Sequence, residues 1–176
     1  MDGGGQGAVT AAALLAMAAF KDGKEVQAFP FFGVERTGAP VVSFARIDEK
    51  PIRLRSQIYE PDYVVVLDPT LPKEIIEKGT DENTVVVINS KKSVDELGFK
   101  FKKAVTVDAT SVALETFGRA IVNTGMLGAF AAFTDEMSLD SIKAAIDEKF
   151  EGNEKVAEKN KKVIETLYEQ TKKKVE

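Results

Sequence analysis

The sequence predicts an α/β domain, Rossmann-like, with a mainly parallel sheet flanked by helices, an antiparallel hairpin and C-terminal helices. Three observations predict it. Tyr63 to Leu67, Thr84 to Ile88 and Ala104 to Val107 are short apolar runs, the pattern of strands buried on both faces. Each run gives way to a polar residue (Asp68, Asn89 and Asp108), at the strand ends where ligands gather in open α/β sheets. Helix N-capping would explain the same three residues. Towards the C-terminus the period changes: Leu139, Ile142, Ile146 and Phe150, then Val156, Val163, Ile164, Leu167 and Tyr168, recur at helical spacing. The chain of 176 residues reads as one domain, 1–176, with a helical part over about 138–176.

Taken in order, Ala11 to Phe20 is a strong helix former, and Gly23 reads as its C-cap. A strand follows over Val26 to Phe29, with Pro30 expected to stop it. Pro30 to Pro40 has no helical or strand period, yet holds two phenylalanines and a Glu-Arg pair. An irregular stretch this apolar reads as an interface, with Phe31, Phe32, Glu35, Arg36, Thr37, Gly38 and Pro40 as its candidate residues. Val41 to Arg46 and Ile52 to Arg55 alternate around Asp48-Glu49-Lys50-Pro51, which predicts a β-hairpin between them. Arg46, Arg53 and Arg55 would point together from it, to hold an anion or to pair with Asp48 and Glu49. Pro72 to Lys78 reads as a short helix closed by Gly79, Ser93 to Leu97 as a helical turn, and Ser111 to Arg119 as a helix. Asn123-Thr124-Gly125 breaks the chain before Met126 to Phe133, whose small apolar residues suit a buried or interface helix.

Composition excludes several chemistries. Apolar residues at 44% and charged residues at 30% describe a globular chain, and a net charge of −4 carries no nucleic-acid footprint. Without Cys the chain cannot ligate an iron–sulfur cluster or supply a thiol nucleophile. Without His it has no imidazole base and no ordinary zinc site. No residue reads as catalytic and none as a metal ligand. Ala11 to Phe20 lacks a preceding basic segment and ends at Lys21-Asp22-Gly23, and no apolar run approaches membrane-spanning length. The expected location is cytoplasmic.

The start of the chain is its most distinctive stretch. Gly3-Gly4-Gly5-Gln6-Gly7-Ala8 runs into the first helix, where free backbone N–H groups and the positive dipole end favour an anion. Gly3, Gly5 and Ala8 fit the G-x-G-x-x-A spacing of a dinucleotide fingerprint. Such a fingerprint follows a strand, and an acidic residue should close the next strand. Here Met1 and Asp2 alone precede the glycines, Glu25 stands at the beginning of the next strand, and that strand's end is apolar. A phosphate-binding loop at Gly4, Gly5, Gln6 and Gly7 and a tight turn packing helix on sheet both remain open.

Several blocks together resemble the gamma subunit of pyruvate:ferredoxin oxidoreductase (pyruvate synthase), within the 2-oxoacid:ferredoxin oxidoreductase family. They are Gly4-Gly5-Gln6-Gly7-Ala8, Gln27-Ala28-Phe29-Pro30 with Glu35-Arg36-Thr37-Gly38-Ala39-Pro40, Arg53-Leu54-Arg55-Ser56, and Asn123-Thr124-Gly125-Met126-Leu127-Gly128-Ala129. The resemblance implies a multi-subunit enzyme converting pyruvate, coenzyme A and oxidised ferredoxin to acetyl-CoA, CO₂ and reduced ferredoxin, or the reverse. It implies partners: alpha, beta and delta (ferredoxin-like) subunits, and ferredoxin. Thiamine diphosphate, Mg²⁺ and iron–sulfur clusters would belong to the complex, with coenzyme A as substrate and no cofactor bound wholly by this chain. Its share would be structural, with Gly4 to Gly7 shaping the coenzyme A site and Asn123 and Thr124 joining the interface. Sister enzymes for branched-chain 2-oxoacids or 2-oxoglutarate, a stand-alone nucleotide-binding module and a ligand-free scaffold are the alternatives.

The family pattern places a strand ahead of a loop resembling Gly-Arg-Gly-Gly-Gln-Gly. A version carrying such a strand is expected to unfold at a higher denaturant concentration, because the strand covers a sheet edge and buries apolar area. Equal unfolding midpoints for the two versions would sink that expectation.

Overall fold

A computed structural model describes residues 4–31 and 41–176. Helix α1 (Gly4–Lys21) leads into β1 (Glu25–Phe31) and β2 (Val42–Asp48). Then come β3 (Tyr63–Val66), the short α2 (Lys73–Ile76), β4 (Val85–Asn89) and β5 (Lys103–Val107). Helices α3 (Ala109–Phe117), α4 (Gly125–Thr134), α5 (Leu139–Lys149) and α6 (Glu154–Val175) complete the chain. The α/β class, the parallel sheet, the antiparallel ribbon and the C-terminal helices are as the sequence predicts.

Strands β3, β4 and β5 form a parallel sheet in that order, with Val65 opposite Val87 and Val87 opposite Val105. Both faces of β4 are covered, which is why its apolar run is unbroken. Val87 joins the larger core with Leu14, Ala18, Leu127, Ile146 and Leu167. Val86 and Ile88 turn to the other face, against Ile76 and Phe99. Helix α1 runs antiparallel to β3: a Cβ at Gly7 would sit near Leu67, while Lys24, just past its end, reaches Glu136 beside Tyr63.

The end of α1 is a Schellman turn. Lys24 N–H donates to the Ala19 carbonyl at 3.0 Å and Gly23 N–H to that of Phe20 at 2.9 Å, with Gly23 at φ +82°. Asp22 beside it accepts from Ser138 N–H (2.7 Å), Ser138 Oγ (2.9 Å) and Ser141 Oγ (2.5 Å), locking α1 to the start of α5. Burial raises the Asp22 carboxyl, but these hydrogen bonds win and hold it below the ordinary carboxylate range. At the start of β3, Tyr63 Oη donates to Glu136 Oε1 at 2.5 Å, and Lys24 Nζ lies 3.1 Å from Glu136 Oε2. Burial, then the facing carboxylate, pushes the Tyr63 phenol up to about 12.

Three expectations change. Strand β1 runs through Pro30 instead of stopping before it; Pro30 lies opposite Ser43 in a two-stranded ribbon, whose outer edge needs no N–H from proline. The hairpin partner is also different. Strand β2 pairs with β1, Ala28 opposite Ala45, and residues 52–55 form no strand. The turn is still there, with Lys50 N–H donating to Asp48 Oδ1 at 3.0 Å. The chain beyond it passes Arg46, whose guanidinium donates to the Ser56 carbonyl at 2.6 Å and to Gln27 Oε1 at 2.9 Å. Arg46 is thereby spent, while Arg53 and Arg55 are exposed on the coil. Finally, α1 begins at Gly4, so the glycines form its first turn and not a loop ahead of it.

The tightest packing joins α4 and α6. Contacts advance together along both helices, from Thr124–Asn160 through Gly128–Ile164 to Asp135–Lys172, so the two run parallel with α5 as the return. A Cβ at Gly125 would come within 2.6 Å of Leu167 Cδ1 and 2.7 Å of Val163 Cγ1. At Gly128 it would strike the carbonyl of Ile164, which is backbone and cannot rotate aside. Leu127, Ile164 and Leu167 are fully buried at this crossing, each contributing about 1.5–3 kcal/mol. Gly128→Ala is therefore expected to lower stability by about 2–3 kcal/mol despite its better helix propensity, measured by urea unfolding. An unchanged midpoint would contradict the crossing.

Candidate functional site

Part of the sequence-predicted set, Gly7, Asn89, Asp108 and Asn123, lies at one corner, where the C-terminal ends of the parallel strands meet the starts of α1, α3 and α4. Strand β4 delivers Asn89, buried at 5% exposure, to its centre. Asn89 Nδ2 donates to the Leu67 carbonyl and to Thr110 Oγ1, each at 3.0 Å. Its Oδ1 accepts from Thr110 N–H at 3.2 Å, one of the free amides in the first turn of α3. One amide thus ties the end of β3 to the start of α3.

Asp108 caps α3, its side chain accepting from Ser111 N–H at 3.0 Å. Burial raises this carboxyl, but the Ser111 hydrogen bonds and the Lys91 ammonium 3.6 Å away leave it below the usual range. Asp68 caps no helix; its Oδ1 accepts from Thr70 N–H (2.9 Å) and Thr70 Oγ1 (2.6 Å), closing a turn after β3. All three polar strand ends are consumed by structure, the capping explanation in full for Asp108 and in a related form for Asn89 and Asp68. They leave no acid–base pair at the sheet edge.

What the corner presents is the first turn of α1. The N–H groups of that turn, which begins at Gly4, find no acceptor within the helix. Gly7 faces Asn123: a Cβ there would lie 3.9 Å from Asn123 Cβ and 3.9 Å from Leu67 Cδ1. Asn123 is half-buried, and its Oδ1 has no hydrogen-bond partner among the described residues. Thr124 behaves differently. It is 2% exposed, and its hydroxyl donates to Asn160 Oδ1 at 2.7 Å. An interface role for Thr124 would run through positioning and not through contact.

Phe31 lies on the ribbon, 39% exposed, with its ring 5.7 Å from Phe44. The Phe29 ring lies 5.5 Å from Phe44, tilted by 47°, and the Arg46 guanidinium sits 5.6 Å from the Phe29 ring. This aromatic face leads directly into the next segment. Phe32, Glu35, Arg36, Thr37, Gly38 and Pro40 lie outside the described residues. The sequence reading missed Asn160. Its signal was available: Ala157, Asn160, Ile164, Leu167 and Thr171 follow one helical stripe, and all are buried.

With this geometry in view, comparison with known proteins is decisive about family. Residues 3–170 match the pyruvate ferredoxin/flavodoxin oxidoreductase family. The chain is 53% identical over 173 residues to the pyruvate/ketoisovalerate oxidoreductases common subunit gamma of Pyrococcus abyssi, covering 96% of this chain and 92% of that one. It is 54% identical over 172 residues to pyruvate synthase subunit PorC of Methanocaldococcus jannaschii, covering 97% and 94%. Its fold matches the crystal structure of pyruvate oxidoreductase subunit PORC from Thermotoga maritima with a TM-score of 0.81. That match is 38% identical and covers 94% of this chain and 90% of the other. The chain belongs to the pyruvate ferredoxin/flavodoxin oxidoreductase family.

The space at Gly7 yields a direct test. Gly7→Ala meets only ordinary van der Waals neighbours inside a helix, so the chain is expected to gain up to about 1 kcal/mol in thermal or urea unfolding. A loss of stability would mean that the glycine is needed by the fold itself.

Proposed function

We propose that this chain is the gamma subunit of a multi-subunit pyruvate:ferredoxin oxidoreductase. The assembled enzyme takes pyruvate, coenzyme A and oxidised ferredoxin to acetyl-CoA, CO₂ and reduced ferredoxin, or runs in reverse. The observation that carries this reading is near-full-length identity above 50% to subunits named for that enzyme. A chain with neither Cys nor His cannot ligate iron–sulfur clusters, so electron transfer falls to partners, namely the alpha, beta and delta subunits and then ferredoxin. Thiamine diphosphate and Mg²⁺ are assigned to those partners as well. No helix among the described residues is long and apolar enough to cross a membrane, and a cytoplasmic complex is the location proposed.

This chain's own part is to complete the assembly and to hold the phosphate end of coenzyme A. The unpartnered amides in the first turn of α1 suit a phosphate oxygen, and glycines let it approach the backbone closely. Residues 31–40 and Asn123 are proposed as partner contacts. A second reading has support in the Pyrococcus abyssi relative, whose name makes it common to pyruvate and ketoisovalerate oxidoreductases. A gamma subunit shared in that way would leave the choice of 2-oxoacid to its partners.

The experiment is to capture this chain with its partners from its source organism and assay dye reduction with different 2-oxoacids. Coenzyme A-dependent reduction with pyruvate supports the proposal, and activity with 2-ketoisovalerate as well supports a shared subunit. Recovery of a lone monomer that binds a nucleotide refutes both. Arg36→Ala is expected to weaken assembly more than it lowers the unfolding midpoint of the isolated chain; the reverse order removes residues 31–40 from the interface.

A further inference from the structure

The geometry points to Asn160 of α6 as a positioning residue that, by clamping Thr124, fixes Asn123 against the entrance of α1 and so sets the partner-facing corner of the subunit. The inference rests on the assignment of Asn123 to that interface. Asn160 is 4% exposed, an unusual setting for an amide in the middle of a long helix. Its amide nitrogen donates to the Val156 carbonyl at 2.9 Å, and its oxygen accepts from Thr124 Oγ1 at 2.7 Å. The side chain is therefore held at both ends. The orientation of its oxygen towards Thr124 follows from the helix carbonyl on the other side.

Thr124 lies immediately before α4 and gives that helix no side-chain cap. Its hydroxyl serves the contact with α6 instead. The residue before it, Asn123, is the one that reaches Gly7, while its Oδ1 stays buried without a partner among the described residues. That oxygen is closed off within this chain, but Asn123 as a whole is only half-buried, so a partner can meet its remaining surface where the residue is held. Gly125, directly after Thr124, and Gly128, one turn further on, press α4 against α6, so this segment has little room to find another position. Packing sets the distance between the helices, and the Asn160–Thr124 bond sets the register of the segment ahead of α4.

A purely structural role predicts a different outcome from a positioning role. In Thr124→Val combined with Asn160→Leu, both partners of the buried bond become apolar together, which keeps the fold. Ile164→Val, at the same helix crossing, serves as the stability control. Each variant is reconstituted with the enzyme's other subunits, and dissociation is measured well below the unfolding midpoint. The double variant is expected to dissociate about tenfold more readily, although it is no less stable than Ile164→Val. Thr124→Ser, which keeps the hydroxyl, is expected to assemble like the unmodified chain. Should the double variant not fold, Thr124→Val alone, which leaves Asn160 bonded to Val156, is expected to shift dissociation in the same direction. Equal binding by the Val variants, or equal weakening by Ile164→Val, overturns the inference. If the unmodified chain captures no partner subunits at all, the gamma-subunit reading falls first and takes this inference with it.

Discussion

Backbone contact between α4 and α6 is the constraint on which the rest of the molecule depends. Gly128 lies against the Ile164 carbonyl, a backbone approach that only a residue without a side chain permits, and Gly125 lies against the side chains of Val163 and Leu167. This approach brings a long amphipathic helix into the core, where Val163, Ile164 and Leu167 are fully buried. From there the consequences spread outward. The α6 side chains meet the sheet through the same apolar cluster as Val87 and Leu14, and Lys174 Nζ donates to the Thr106 carbonyl at 2.7 Å. Both α1 and the parallel sheet are thus held by a crossing that neither contributes to directly.

Around that core, polar groups act as fasteners more than as reagents. Asp22 joins the end of α1 to the start of α5, Glu136 joins Tyr63 to Lys24, and Asn89 joins β3 to α3. Between α5 and α6, Lys161 bridges Asp147 at 2.8 Å and Lys143 pairs with Glu165, while Lys161 also meets Glu158 of its own helix at 2.5 Å. Such exposed pairs contribute little individually, and their use here is to orient α5 on α6.

The family resemblance and the geometry divide the explanation between them. Identity above 50% to gamma-type subunits establishes the family, whereas the fold alone would serve many unrelated functions. The geometry describes the two features proposed to meet partner subunits: a glycine-built helix start beside Asn123, and a ribbon carrying Phe29, Phe31 and Phe44 on one face. An aromatic face with Phe31 left 39% exposed is costly in isolation and suits a chain built to be covered.

Local chemistry was enough for part of this. Three apolar runs read as strands and form the parallel sheet, the central one buried on both faces, and Gly23 ends α1 in a left-handed turn. Those features depend on neighbours in sequence, so the sequence by itself determined them. The absence of Cys and His likewise settled which chemistry the chain cannot perform. Tertiary structure decided the rest. The alternation at residues 52–55 suggested a strand, but β2 found its partner in β1, since pairing is a contest between distant edges that local pattern does not resolve. Pro30 reads as a stop and is tolerated because β1 lies at an edge. Asn160 looked like one more polar residue on a charged helix, and only the approach of Thr124 from 36 positions away gave its oxygen a donor. The helical stripe places Asn160 on the buried face of α6, but which group meets its oxygen is set by a residue distant in the chain.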